Sequence, residues 1–70
     1  DLAGLKRAAT DSLEKGENSK ALVYLTKAMI LVPSDKELLV GMAEAYKKEG
    51  VTDSALSYFR RADKLYPRDR

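Results

Sequence analysis

Apolar residues fall into four clusters at helical spacing, parted by short stretches that hold glycine, proline or small polar residues. Leu2, Leu5, Ala9 and Leu13, with Ala8 beside them, recur every three or four residues and predict a helix over residues 2–15 with a thin apolar face. Gly16 ends it, since glycine takes the left-handed cap conformation without steric cost. Asn18 or Ser19 is the expected cap of a second helix over residues 19–31. That helix is the most apolar of the four. Leu22, Val23, Tyr24, Leu25, Ala28, Met29, Ile30, Leu31 and Val32 leave it few polar positions. It is therefore expected to be buried nearly all round, at the centre of the fold. Pro33 stops it.

Ser34 and Glu37 have the S-x-x-E spacing of a capping box for a third helix. Leu38, Leu39, Met42, Ala43 and Tyr46 give that helix a clear apolar stripe, and Gly50 ends it. Gly41 lies inside, at a cost of about 1 kcal/mol against alanine. Tolerated drift is the preferred reading of it, close approach by another backbone the alternative. Thr52 or Asp53 is the expected cap of a fourth helix running to about Tyr66, before Pro67. Short turns force consecutive helices to pair antiparallel.

The second and fourth helices share a sequence. ALVYLTKAMILVP over residues 21–33 recurs as ALSYFRRADKLYP over residues 55–67, at an offset of 34 residues. Ala21, Leu22, Tyr24, Ala28, Leu31 and Pro33 match Ala55, Leu56, Tyr58, Ala62, Leu65 and Pro67. Upstream, Leu5, Ala9 and Gly16 match Leu39, Ala43 and Gly50 at the same offset. A fixed period of this length marks a repeat architecture. The small residues Ala21, Ala28, Ala55 and Ala62 are expected where helix axes cross closely. Tyr46 and Phe59 are expected to fill the space beside them, with Tyr24 and Tyr58 partly exposed.

On these residues the chain resembles a pair of tetratricopeptide (TPR) repeats. The second repeat supplies Leu39, Met42, Ala43, Tyr46, Gly50, Ala55, Phe59, Ala62 and Pro67 at the family's positions, with Leu39 where tryptophan is usual. The first supplies Leu5, Ala8, Ala9, Ser12, Gly16, Ala21, Leu25, Ala28 and Pro33, with Ser12 where an aromatic belongs. The resemblance implies an all-α fold of two stacked antiparallel helical hairpins, an α-solenoid fragment of four helices. It implies one domain over residues 1–70, repeat one over about 2–35 and repeat two over about 36–69. It also implies a protein–protein interaction module with a scaffold or adaptor role. A peptide or partner helix of unspecified identity would lie on the concave surface lined by the first helix of each repeat. Lys6, Thr10 and Leu13, then Glu37, Val40, Glu44 and Lys47, are the expected partner-binding residues. Their spacing of three and four residues puts each set on one helix face. An ordinary solvated face is the competing reading.

One TPR subclass grips a C-terminal carboxylate with lysines and asparagines. Lys6 matches its lysine, but Thr10 and Glu44 stand where asparagines belong, and Glu44 would repel a carboxylate. A third repeat, which supplies the remaining cations, is not in this chain, so clamp activity is not expected. Met29 and Ile30 are the expected apolar edge of the first repeat toward the second. Asp63 and Lys64 take their places in the second repeat, so a regular array is expected to end there or to continue only through an atypical capping helix beyond Arg70.

Composition narrows the function classes. Seventy residues make one small, marginally stable domain. The chain opens at Asp1 without methionine and is expected to be a piece of a longer one. It has neither cysteine nor histidine, which removes disulfides and the commonest general base and metal ligand. No serine has a histidine partner and no glycine-rich phosphate loop exists, so neither an enzyme nor a cofactor is expected. Glu44 and Lys48 are expected to pair on the surface at i, i+4.

The longest uncharged run, residues 28–34, is far short of the ~20 apolar residues a membrane span needs. No targeting segment is visible, and no localisation follows. Net charge is +2, with the basic excess in the second half. Arg60, Arg61, Lys64, Arg68 and Arg70 read as a solvated face, and nucleic acid is not an expected partner. Self-association within a larger assembly is the alternative function.

Overall fold

Gly16 and Gly50 punctuate the chain as the sequence predicts. Both take positive φ, 79° and 82°. Each closes a full Schellman motif. The Glu17 N–H donates to the Ser12 carbonyl at 2.8 Å and the Gly16 N–H to Leu13 at 3.1 Å. The Val51 N–H donates to Tyr46 at 2.9 Å and the Gly50 N–H to Lys47 at 3.1 Å. Orphan carbonyls at two helix ends are thereby satisfied, and the chain reverses in three residues.

The computed structural model describes residues 1–67. It contains α1 (Leu2–Glu14), α2 (Asn18–Leu31), α3 (Lys36–Lys48) and α4 (Thr52–Leu65), with no strand among the described residues. The fold is all-α. α1 packs on α2 and α3 on α4, while α3 also packs on α2 and touches α1. No helix is long and apolar enough to cross a membrane among the described residues. Arg68 and Arg70 of the basic stretch, and the end of the second repeat at residue 69, lie outside the described residues.

Three of the expected caps are corrected. Asp35, not Ser34, is the N-cap of α3, and its carboxylate accepts from the Leu38 N–H at 3.2 Å. Asp35 begins the helix one residue later than the S-x-x-E spacing implied, which makes Glu37 the second helical residue rather than the third. Glu17 precedes α2 without a side-chain cap; Asn18 and Ser19 instead donate to Glu49 at 3.3 Å each, tying the start of α2 to the end of α3. Val51 precedes α4, and Thr52 and Asp53 lie inside its first turn. Asp1 caps α1 by accepting from the Gly4 N–H at 2.6 Å.

The centre of the fold is α3 rather than α2. Leu38, Leu39, Met42, Ala43 and Ala45 of α3 are all buried, and Leu38 and Leu39 are the largest fully buried side chains. α2 buries only Ala21, Leu25 and Ala28 fully. Val23, Ile30 and Leu31 are exposed, Ile30 by 77%. The apolar periphery of α2 is wider than the surface its neighbours cover. The reason is connectivity: α3 meets all three other helices, whereas α2 packs on α1 and α3 alone.

The edge that α2 offers α3 is corrected too. Leu22, Leu25, Met29 and Val32 recur at three and four residues and pack into the core; Ile30 points away from it.

The predicted small residues are where helices meet. Ala21 and Ala28 are wholly buried, and Ala55 and Ala62 nearly so. Ala9, Leu25, Ala28, Leu38, Met42 and Ala45 form the core cluster. Half-buried Tyr46 and Tyr58 stack at 5.8 Å between centroids and 10° between planes, and the Arg61 guanidinium lies 5.1 Å over Tyr58. Gly41 meets a side chain, not a backbone. A Cβ there would stand 3.0 Å from Leu25 Cδ2, so the missing side chain makes room for a buried leucine.

Candidate functional site

α1 and α3 lie side by side and run the same way. Lys6, in the first half of α1, reaches Asp35 at the start of α3, at 3.0 Å. Leu13, near the end of α1, offers its carbonyl to Lys48, the last residue of α3, at 3.2 Å. Between these ties is a groove of about 430 Å³. Its floor is Leu13, Val40 and the bare backbone of Gly41. Its rim is Thr10 and Glu14 from α1, with Lys36, Glu37, Glu44 and Lys48 from α3.

Five of the seven residues selected from the sequence share this groove: Thr10, Leu13, Glu37, Val40 and Glu44. Lys6 borders a small crevice of about 50 Å³ beneath it, along with Thr10, Leu13 and Glu37. Lys47 borders a neighbouring depression that it shares with Glu44, Lys48 and Phe59. Glu14, Lys36, Gly41 and Lys48 line the groove without having been selected. For all four the signal was available, since Lys36 precedes Val40 by one helical turn. Glu14 follows Thr10, Gly41 follows Glu37 and Lys48 follows Glu44 by one helical turn.

The electrostatics assign the charged groups different states. Lys6 is committed within the protein. Its ammonium lies 3.0 Å from Asp35 and 3.7 Å from Glu37, with only 24% of the side chain exposed. The hydrogen bond to Asp35 raises the Lys6 pKa despite partial burial, and the charges of Asp35 and Glu37 add to it. Burial pushes the Asp35 carboxyl up, but the Lys6 hydrogen bond, the Leu38 N–H and the Lys6 charge together hold it below its ordinary value. Lys6 is thus a brace for the α3 cap rather than an unengaged cation facing a ligand.

The expected Glu44–Lys48 pair does not form. Lys48 turns across the groove to the Leu13 carbonyl near the end of α1, where a cation meets the negative end of the helix dipole. The Thr10 hydroxyl donates to the Lys6 carbonyl at 3.0 Å, one turn back.

No family model, curated protein or solved structure matches the chain.

Proposed function

We propose that the chain is a non-covalent protein-interaction module built from two TPR-like helical hairpins, with the α1–α3 groove holding a peptide or partner helix. The observation that carries this reading is the convergence of Thr10, Leu13, Glu37, Val40 and Glu44, from two repeats, on one open groove with an apolar floor. The tandem 34-residue repetition supports the hairpin arrangement, as does the packing of α1 on α2 and α3 on α4. A concave surface with an apolar floor and a polar rim suits an extended or helical segment, its affinity coming from the floor and its specificity from the rim. The role follows as that of a scaffold or adaptor, without catalysis. Selection of a random displayed peptide library on the immobilised chain, followed by amide-shift mapping of a selected peptide, tests it. Shifts at Thr10, Leu13, Val40, Gly41 and Glu44 are expected. Shifts confined to α4 would sink the reading.

Self-association is the second reading. Val23, Ile30 and Leu31 form an exposed apolar surface on α2. Sedimentation equilibrium separates the two, since dimers that Ile30→Glu dissolves would favour association through α2.

A further inference from the structure

The two ends of the groove differ in charge, and the difference is set by what each group already touches. Near the N-terminal ends of α1 and α3, Lys6, Asp35 and Glu37 satisfy one another. Lys36, the first residue of α3, adds a cation at that end. At the other end Glu14 and Glu44 line the groove, both exposed and neither in an ion pair among the described residues. Glu44 lies eight residues beyond Lys36 along α3, which places it roughly 12 Å farther along the axis. α1 and α3 also finish together at this end, so the negative ends of two helix dipoles gather beside the two carboxylates. Lys48 also lines this end, its ammonium held on the Leu13 carbonyl, so two carboxylates stand there against one cation; Lys47 borders the neighbouring depression.

Resting on the reading of the groove as a peptide site, we infer that its occupant is a segment carrying an arginine or lysine next to an apolar side chain. The cation sits between Glu14 and Glu44. The apolar neighbour covers Leu13 and Val40, where Gly41 leaves room for it. An acidic segment, or a chain-terminal carboxylate, is refused at this end by the same two carboxylates and by the helix ends.

Three synthetic twelve-residue peptides with blocked termini test this. They share one set of leucines and alanines and differ only in carrying arginine, glutamine or glutamate at two positions. Each is titrated into the isotopically labelled chain and followed by amide shifts. The arginine peptide is expected to move Leu13, Val40, Gly41 and Glu44 and to bind tightest. Glu14→Gln and Glu44→Gln are each expected to weaken it about twofold to fivefold, an effect lost in high salt. Both substitutions are conservative and exposed, and thermal melts check that the variants stay folded; if one does not, the three-peptide comparison on the unaltered chain decides. Groove shifts with the glutamine or glutamate peptide binding as tightly as the arginine one overturn the charge inference and leave the groove reading standing. Shifts from the arginine peptide lying outside the groove, or none at all, overturn both.

Discussion

Lys6 Nζ lies 3.0 Å from Asp35 Oδ2 and so joins α1 to the cap of α3 across 29 residues of sequence. Asp35 thereby does two things at once. One oxygen caps the Leu38 N–H and the other holds Lys6. The pKa of Asp35 is held below its ordinary value in the folded chain. Its contribution to stability is therefore complete above the unfolded carboxylate value of ~3.9 and disappears as pH falls through the folded value. The Lys6 pKa is raised, so its contribution is complete below the unfolded value of ~10.4 and disappears as pH rises through the folded value. Denaturant midpoints measured against pH should be flat between those limits and fall on both sides. Asp35→Asn should blunt the acid limb and Lys6→Met the alkaline one; an acid limb unchanged in Asp35→Asn would refute the assignment.

Asp35→Ala removes the cap as well as the ion-pair partner. A loss of about 0.5–2 kcal/mol is expected from the cap. Ser34→Ala, at the position the S-x-x-E spacing picked out, should change little, because the Ser34 side chain makes no capping bond. Chemical denaturation of the two variants checks it. A larger loss for Ser34→Ala would restore the capping box.

Gly41 and Leu25 are coupled by contact. Alanine at Gly41 should gain about 1 kcal/mol of helix propensity, but its Cβ would press on Leu25 Cδ2 at 3.0 Å. The gain should therefore be largely offset in the unaltered chain and recovered in Leu25→Val, whose shorter side chain withdraws from the contact. A double-mutant cycle in denaturant reads the coupling directly. Additive effects of the two substitutions would show that the contact carries no energy.

Ala28→Leu and Ala62→Leu should each destabilise by about 1–3 kcal/mol through overpacking. Both positions are buried at helix contacts, Ala28 within the core cluster. Lys20→Ala alters an exposed residue paired only loosely with Glu17, at 3.7 Å, and should be nearly neutral. Equal midpoints for Ala62→Leu and the unaltered chain would show that the register of α4 is not fixed by its alanines.

Helix number, helix type and turn positions were legible because Gly16, Pro33 and Gly50 act locally on the backbone, and because the stripe of α3 has a strong period. The caps were less so. Ser34 and Asp35 are adjacent, and both residue types cap helices, so only the tie to Lys6 from another helix distinguishes them. The burial of α2 was not legible, for a different reason. Its sequence is apolar on more sides than it has neighbours, and the number of neighbours is a property of the stack rather than of the helix. Within the groove, Val40 and Glu44 could be placed by spacing alone. That Lys48 would cross to Leu13 rather than pair with Glu44 depends on a distance between helices that spacing does not contain.

The outer face of α4 carries the last prediction. Leu22, Leu25, Met29 and Val32 form the stripe by which α2 packs into the core. Their counterparts one repeat later are Leu56, Phe59, Asp63 and Tyr66. On α4 Phe59 is half-buried beside α3, but no further helix covers the stripe among the described residues: Leu56 is 47% exposed and Tyr66 39%. Tyr66 is half anchored, its hydroxyl donating to the Ser34 carbonyl. Asp63 stands in the middle, exposed, where the first repeat has methionine. Burying that carboxylate without a partner would cost more than the flanking apolar side chains return, so it should keep α4 from pairing with a copy of itself. Asp63→Met restores the stripe of the first repeat and removes that penalty. The unaltered chain is expected to sediment as a monomer at micromolar concentration, and Asp63→Met to shift toward dimers under the same conditions. Lys64→Met, one residue outside the stripe, should leave the mass unchanged. If Asp63→Met sediments as the unaltered chain does, Asp63 is not what keeps this face open.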